Sequence, residues 1–311
     1  MTRDERRPPG GYLPDMNPSP GNLVQRFLSW IVLSQVAMAA SAGALLLACS
    51  VVLGRPISNW WYAAAFFGSW AVYLRDSAAS CEAEDSISQP RRAAIFSGSR
   101  IWSQLLPVIS GTIGVACSLM AGPEPSTLIL LGVVGALGLL HALPSGGERR
   151  PAGLATKRFA AWKSVVVSIA WAVAAVGLPI LESSPGPERP VLETGTWLVV
   201  LLVPVLLADS LLLDLRDRAA DRKFGLRTIA VRVGPREVHA IVGMLVGLAI
   251  VVVLLGASDA VEPTSWLRMG LSASLGITLA WLSWPILRRD EPGLAIAVMG
   301  WRFLAMLATA T

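Results

Sequence analysis

The amino-acid sequence predicts an all-α membrane protein with nine transmembrane helices, and three properties of the sequence lead to this fold class. Of the 311 residues, 54% are hydrophobic and only 15% are charged, whereas a soluble domain carries about 25% charged residues. The mean hydropathy is positive, at +0.58. The apolar residues form long unbroken runs, without the alternating segments of about ten residues that are typical of a membrane β-barrel. This composition argues against a soluble enzyme, a disordered chain and a secreted disulfide-rich scaffold.

The first 25 residues differ from the rest of the chain because they are polar and rich in Pro and Gly. They lack the apolar core of a signal peptide, so we expect a disordered cytoplasmic tail at 1–25 and a single transmembrane domain at 26–311. Nine apolar runs follow, each long enough for a helix that spans a bilayer, which needs about 20 residues. They cover approximately 27–53, 57–75, 100–121, 126–143, 159–181, 195–213, 237–257, 265–287 and 293–310.

The basic residues predict which ends of these runs face the cytoplasm. Of the 26 Lys and Arg residues, 22 lie in the N-terminal tail or in the second, fourth, sixth and eighth loops. The other loops hold only Arg55, Arg189 and Arg268. Because positively charged loops stay in the cytoplasm, we expect a cytoplasmic N-terminus and an external C-terminus, in a membrane that we interpret as the bacterial inner (plasma) membrane. This bias explains the basic composition without nucleic acid as a partner, and the mixed charges of the cytoplasmic loops predict an active site on that side.

The sixth apolar run ends in the most distinctive polar pattern of the sequence. Asp214, Asp217 and Asp221 stand at i, i+3 and i+7, so on a helix they lie within about 60° of one another. Three like charges on one face repel each other, and Mg²⁺, which prefers a few carboxylates together with substrate phosphates and waters, would offset this repulsion. The pattern indicates a Mg²⁺–diphosphate site. The alternative is a solvated helix end whose aspartates pair with neighbouring arginines.

The residues around this pattern carry a resemblance to a known family. The segment 214–234 resembles the second aspartate-rich motif of the UbiA-type membrane prenyltransferases, including the trailing Thr228-x-x-Val231-Arg232-x-Gly234. Nine helices with the second, fourth and sixth loops in the cytoplasm are also the architecture of that family. A second stretch is similar to the family in the fifth apolar run, at Lys157-Arg158, Lys163, Ala170-Trp171 and Leu178-Pro179. The chain is therefore identified as a divergent member with a UbiA-like bundle of nine helices.

The resemblance implies a reaction, a cofactor and a set of site residues. It implies that an isoprenyl group passes from an isoprenyl diphosphate to a lipophilic, commonly aromatic, acceptor within the lipid bilayer, and that Mg²⁺ assists the departure of the diphosphate. The implied metal ligands are Asp214, Asp217, Asp221, Asp76, Glu84 and Asp85, of which Asp214, Asp217, Asp221 and Asp76 are the catalytic candidates. The implied substrate-binding residues are Lys157, Lys163, Arg222, Arg227, Arg91 and His141.

The first aspartate motif departs from the family pattern. The family usually has Asn-Asp-x-x-Asp-x-x-x-Asp after the second helix, whereas the segment 73–92 contains Asp76, Glu84 and Asp85 without that spacing. Two other classes of function therefore stay open. One is a terpene cyclase of the same fold, which quenches the carbocation internally, and the other is a non-catalytic isoprenoid-binding or transporter-like descendant. A transporter is less favoured because the carboxylates gather at one membrane surface and not at mid-depth.

A few polar residues stand inside the apolar runs. Arg302 lies in the last run, where an exposed charge is costly in lipid, so we expect it to face the bundle interior or to reach the surface. Gln35 and Gln104 are expected to form hydrogen bonds between helices. Asp209 precedes the aspartate face and, from its helical angle, is predicted to point away from the other three aspartates.

Overall fold

The computed structural model describes residues 30–82, 85–141, 154–182, 188–287 and 291–310. Within these ranges the chain is helical and has no β-strand. The helices are α1 (Val36–Val52), α2 (Asn59–Ser80), α3 (Asp85–Ser88), α4 (Pro90–Gly98), α5 (Leu106–Met120, preceded by a π-helical turn at Ile101–Leu105), α6 (Pro125–His141), α7 (Leu154–Glu182), α8 (Arg189–Lys223), α9 (Ile229–Val233), α10 (Pro235–Gly256), α11 (Pro263–Leu287) and α12 (Glu291–Ala310). The tail predicted at 1–25 lies outside the described residues.

The predicted apolar runs correspond to long helices in the described part of the chain, namely α1, α2, α5 to α8 and α10 to α12. Five helical segments are long and apolar enough to cross a membrane: Ile101–Met120, Trp162–Glu182, Arg189–Lys223, Pro235–Gly256 and Pro263–Ile286. Shorter apolar helices lie at Val36–Val52, Pro125–Gly138 and Ala297–Thr309. The prediction of an all-α membrane fold is confirmed, whereas the count of nine spans and the orientation stay predictions.

Helix α8 is the central element of the bundle. It packs against α7, α10, α11 and α12, and its buried side chains include Leu198, Leu202 and Leu212. Its 35 residues extend over roughly 52 Å at about 1.5 Å per residue, whereas the hydrocarbon core of a bilayer is about 30 Å thick. The helix is therefore longer than the apolar layer is thick, and its last turns carry the aspartate face.

Helices α11 and α12 approach each other closely at Gly276. A Cβ atom on this residue would lie 2.3 Å from the Cβ atom of Trp301, which is shorter than any real contact, so only glycine allows this approach. Trp301 is fully buried. The close approach therefore fixes the position of Trp301 and of the adjacent Arg302 in the interior of the bundle.

The helical chain breaks just before α1. Gln35 has a φ of 63°, which is the left-handed region and is uncommon for a residue other than glycine. Two hydrogen bonds to α2 hold this break: Gln35 Nε2 donates to Ser77 Oγ at 3.3 Å, and Trp70 Nε1 donates to the Ser34 carbonyl oxygen at 2.8 Å. The predicted interhelical bond of Gln35 is confirmed, whereas Gln104 is exposed on the π-helical turn.

Candidate functional site

Three helices bring two predicted carboxylates and one predicted lysine together. Lys163 of α7 places its Nζ atom 3.8 Å from Asp76 Oδ1 of α2. The next residue, Ser164, donates a hydrogen bond from Oγ to Asp214 Oδ2 of α8 at 2.7 Å, and the Lys163 charge also acts on Asp214. We call Asp76, Lys163, Ser164 and Asp214 the carboxylate–lysine cluster. Sequence analysis named three of its members and missed Ser164.

Two further predicted carboxylates are bound by arginines. Asp217 accepts hydrogen bonds from Arg216 Nε and Nη2, both at 2.8 Å. Asp85 accepts from Arg92 Nη2 at 2.6 Å and Arg92 Nε at 3.2 Å, and Ser80 Oγ donates to the same carboxylate at 2.6 Å. Helix α3, which carries Asp85, packs against α8, and the charge of Arg92 on α4 also acts on Asp217. These two bidentate pairs form a mixed-charge network beside the carboxylate–lysine cluster.

Asp221 has a different environment, although it shares the helical face with Asp214. Its side chain is buried and accepts a hydrogen bond from Thr228 Oγ1 at 3.0 Å. Its main-chain carbonyl accepts from the Leu226 amide at 2.8 Å, and Gly225 between them has a φ of 72°, which glycine adopts without strain. Asp221 therefore fixes the turn that joins α8 to α9.

The remaining predicted site residues do not join the carboxylate–lysine cluster within the described part of the chain. Arg91, Arg222 and Arg227 are exposed. Glu84 and the side chains of Lys157 and His141 lie outside the described residues. Arg92, and not its neighbour Arg91, binds Asp85. Asp85 lies on α3 and Arg92 on α4, with the non-helical Gln89 between the two helices, so no helical spacing indicated this pair.

Arg302 and Asp209 form an ion pair in the interior of the bundle. Arg302 faces the bundle interior as predicted, and its Nη2 lies 3.0 Å from Asp209 Oδ2. Arg302 Nη1 donates to Ser41 Oγ at 2.8 Å, and Trp301 Nε1 donates to Asp209 Oδ2 at 2.8 Å. The Arg302 guanidinium also lies 5.2 Å from the Trp171 ring centre. Asp209 points away from the aspartate face, as predicted, and belongs to this buried ion pair.

A small cavity lies between α1, α8 and α12, next to the α3–α4 segment. Its volume is about 50 Å³. It is lined by Val32, Gln35, Met38, Gln89, Arg92, Leu213, Arg216 and Met299. Both arginines of the mixed-charge network therefore reach its wall, a feature that the sequence pattern alone did not indicate.

The donor atoms of the carboxylate–lysine cluster suit a hard cation. Mg²⁺ in substrate sites is often held by one or two carboxylates together with substrate phosphates, and the cluster supplies two: Asp76, which contacts Lys163, and Asp214, which accepts a hydrogen bond from the adjacent Ser164. Within the described residues, no three His, Cys, Asp or Glu side chains converge to form a metal site by themselves. The cluster therefore fits Mg²⁺ that arrives with a diphosphate, and not a cage built from protein ligands.

Comparisons with known proteins agree with this architecture. A family model, the UbiA prenyltransferase family, matches residues 93–307. A solved structure of a digeranylgeranylglyceryl phosphate synthase in membranes superposes with a TM-score of 0.54 over 92% of this chain and 97% of that chain. At 14% sequence identity, this similarity shows the fold alone. A search of curated proteins gives no match. Because the family model covers more than half of the sequence, the chain belongs to the UbiA prenyltransferase family.

Proposed function

We propose that the protein transfers an isoprenyl group from an isoprenyl diphosphate to a lipophilic, and commonly aromatic, acceptor in the membrane. One observation carries this proposal: α2, α7 and α8 bring Asp76, Lys163, Ser164 and Asp214 together. In a chain of this family, such a cluster is suited to hold a diphosphate at the membrane surface. The apolar interior below it is suited to an isoprenyl tail.

The residues of the cluster have separable roles in the proposed reaction. Lys163 binds the diphosphate as a point charge and stabilises the negative charge that develops as it leaves. Ser164 orients Asp214 through its 2.7 Å hydrogen bond. Mg²⁺, held by Asp76 and Asp214, would supply further stabilisation of the departing diphosphate. The exposed Arg222 and Arg227, with Arg91, Lys157 and His141, remain proposed contacts of the diphosphate or the acceptor.

Aromatic rings lie one or two turns deeper than the cluster. Tyr73 precedes Asp76 by three residues on α2, and its ring centre lies 6.3 Å from that of Trp171 on α7. Aromatic faces attract cations, so these two rings are placed to face an allylic carbocation formed below the diphosphate. The acceptor would then attack the carbocation in the same apolar region.

Three of the other predicted metal ligands are engaged elsewhere. Asp85 and Asp217 are bound bidentately by Arg92 and Arg216, and Asp221 is buried against Thr228 in the turn after α8. We therefore assign the principal metal contacts to Asp76 and Asp214. A metal role for Asp85, Asp217, Asp221 and Glu84 stays a prediction.

A reconstituted reaction tests the proposal directly. Purified protein in lipid nanodiscs is incubated with labelled geranylgeranyl diphosphate, Mg²⁺ and a membrane lipid extract, with an EDTA sample as the control. We expect Mg²⁺-dependent release of diphosphate together with a prenylated adduct. Release with only a hydrocarbon product would instead identify a terpene cyclase, and the absence of release would identify a non-catalytic descendant.

A further inference from the structure

The interior ion pair lies at the depth of the two aromatic rings below the carboxylate–lysine cluster. Asp209 precedes Asp214 by five residues on α8, which places it about 7.5 Å deeper along the helix axis. The guanidinium of Arg302 lies 5.2 Å from the Trp171 ring centre, and the ring centres of Trp171 and Tyr73 are 6.3 Å apart. The charges of Arg302 and Asp209 both act on Tyr73, in opposite senses. The ion pair is therefore next to the rings that are placed to face a carbocation.

Asp209 is the group that neutralises Arg302. Its Oδ2 atom accepts hydrogen bonds from Arg302 Nη2 at 3.0 Å and from Trp301 Nε1 at 2.8 Å. The other hydrogen-bonding partners of Arg302 in the described part of the chain, Ser41 Oγ and Met38 Sδ, are uncharged. The side chains of Asp209 and Arg302 are 3% and 6% exposed, so solvent screens neither charge well. Without Asp209, a positive charge would remain in the apolar interior.

Such a charge would oppose the first step of the proposed reaction. In that step the bond between C1 of the isoprenyl group and the diphosphate oxygen breaks, both electrons leave with the diphosphate, and a positive charge stays on the allylic carbons. An aromatic face binds a cation within about 6 Å of the ring centre, so a carbocation on Trp171 would lie within about 11 Å of the Arg302 guanidinium. At an effective dielectric constant of about 20, repulsion between two unit charges at that distance slows the step by roughly tenfold.

We propose that Asp209 is the counter-charge that allows a carbocation to form beside Trp171, because it neutralises Arg302 without touching the substrate or the metal. This inference rests on the proposed prenyl transfer and adds one residue to it. The alternative role of the ion pair is structural, as a link between α8 and α12. The two roles predict different results for the two partners, because only the removal of Asp209 leaves a positive charge in the interior.

Single substitutions of the two partners test the proposal. Asp209→Asn leaves the positive charge of Arg302, whereas Arg302→Gln removes it, and the remaining Asp209 repels no carbocation whether it is ionised or protonated. We expect Asp209→Asn to slow the release of diphosphate from geranylgeranyl diphosphate by tenfold or more, and Arg302→Gln to keep the wild-type rate within threefold. The measurement is a single turnover in lipid nanodiscs with Mg²⁺, which separates the chemical step from product release. It is made at a temperature at which thermal unfolding shows every variant to be folded.

Two control variants separate the charge from its surroundings. Ser41→Ala removes another hydrogen bond of Arg302 and changes no charge, so it should release diphosphate at the wild-type rate. The double variant Asp209→Asn with Arg302→Gln carries neither charge, and its rate should be within threefold of the rate of Arg302→Gln. The dissociation constant of geranylgeranyl thiolodiphosphate, a poorly reactive analogue, should be unchanged in all variants, because we expect the diphosphate to bind at the partly exposed Lys163.

Equal slowing of diphosphate release in Asp209→Asn and Arg302→Gln would overturn the proposal, because a structural link is broken by the loss of either partner. A double variant tenfold slower than Arg302→Gln would also overturn it, since Asp209 would then act by another route. If Asp209→Asn does not fold, Arg302→Gln decides alone: a rate within threefold of the wild type supports the counter-charge, and a tenfold fall refutes it. If the wild type releases no diphosphate, the proposed function fails and this inference fails with it, whereas release by the wild type with equal slowing of both variants refutes this inference alone.

Discussion

At the scale of single residues, Lys163 is the sharpest test of the carboxylate–lysine cluster. Its side chain is 41% exposed and lies 3.8 Å from Asp76, so its interaction with a diphosphate is partly screened by solvent. We expect Lys163→Ala to raise the KM for the isoprenyl diphosphate by roughly tenfold, which corresponds to about 1.4 kcal/mol. Steady-state kinetics would measure this change. Lys223→Ala, at the exposed end of α8, is the matched control, and equal kinetics for the two variants would reduce Lys163 to a determinant of topology.

The two aspartates Asp214 and Asp217 should differ when each is neutralised. Asp214→Asn removes a carboxylate beside Lys163, so we expect Mg²⁺-dependent diphosphate binding to weaken by tenfold or more. Asp217→Asn leaves Arg216 without its carboxylate and should weaken this binding less. The measurement is diphosphate binding with and without Mg²⁺, with Glu237→Gln as an exposed control. Unchanged binding in Asp214→Asn would refute the proposed metal contact.

The interior ion pair gives a prediction of stability. Asp209 and Arg302 are 3% and 6% exposed at their side chains, and removal of one partner of a buried pair costs roughly 3–5 kcal/mol because the other charge is left uncompensated. We therefore expect Asp209→Asn to lower the thermal midpoint strongly, and the double variant Asp209→Leu with Arg302→Met to recover most of the loss. Thermal unfolding in detergent would measure both. A small effect of the single change would show that the charge is compensated elsewhere.

At the scale of elements, variants in the turn between α8 and α9 can distinguish a structural role of Asp221 from a role in metal binding. Asp221 is buried and accepts a hydrogen bond from Thr228, and a buried donor or acceptor that loses its partner costs about 1–3 kcal/mol. We expect Asp221→Ala and Thr228→Val to lower the thermal midpoint by similar amounts. If Asp221 instead holds Mg²⁺, Asp221→Ala alone would abolish Mg²⁺-dependent binding, and Thr228→Val would leave that binding intact.

The helical elements were predictable because each apolar run has the length of a bilayer and the aspartate spacing matches the period of a helix. The partners of the aspartates were less predictable. Asp214 meets Ser164 from a helix 50 residues earlier in the chain, and no local spacing indicates such a pair. The pairing of Asp217 with Arg216 follows the alternative interpretation of this segment, a helix end that pairs with its own arginines. Both interpretations were available from the sequence, but the sequence did not indicate which aspartates would pair with arginines and which would not.

At the scale of the whole molecule, the distribution of basic residues predicts the topology. With 22 of 26 Lys and Arg residues in the tail and the even-numbered loops, we expect reporter fusions after about residues 90, 150, 230 and 290 to be cytoplasmic. A fusion after residue 311 should be external, because nine spans place the two ends on opposite sides. A cytoplasmic location of the fusion at residue 311 would contradict the prediction of nine spans, because it requires an even number of spans. Each loop is one continuous segment of the sequence, so its charge can be counted directly, and these counts predict the topology of the whole chain.

The length of α8, a helix of 35 residues with Pro204 inside it, connects the aspartate end of the bundle to the opposite end. Its middle section, around Leu198 and Leu202, is fully buried. Asp214 lies towards its C-terminal end, and near its N-terminal end Thr194 Oγ1 donates a hydrogen bond to the Asp259 carbonyl oxygen at 3.2 Å. A rod of about 52 Å that tilts by about 5° about its middle moves each end by roughly 2 Å in opposite directions. Pro204 lies between the leucine section and Asp214, and an interior proline weakens a helix locally, so a spectroscopic label beside Asp259 tests whether a movement of the aspartate end is transmitted past Pro204 to the Thr194–Asp259 contact.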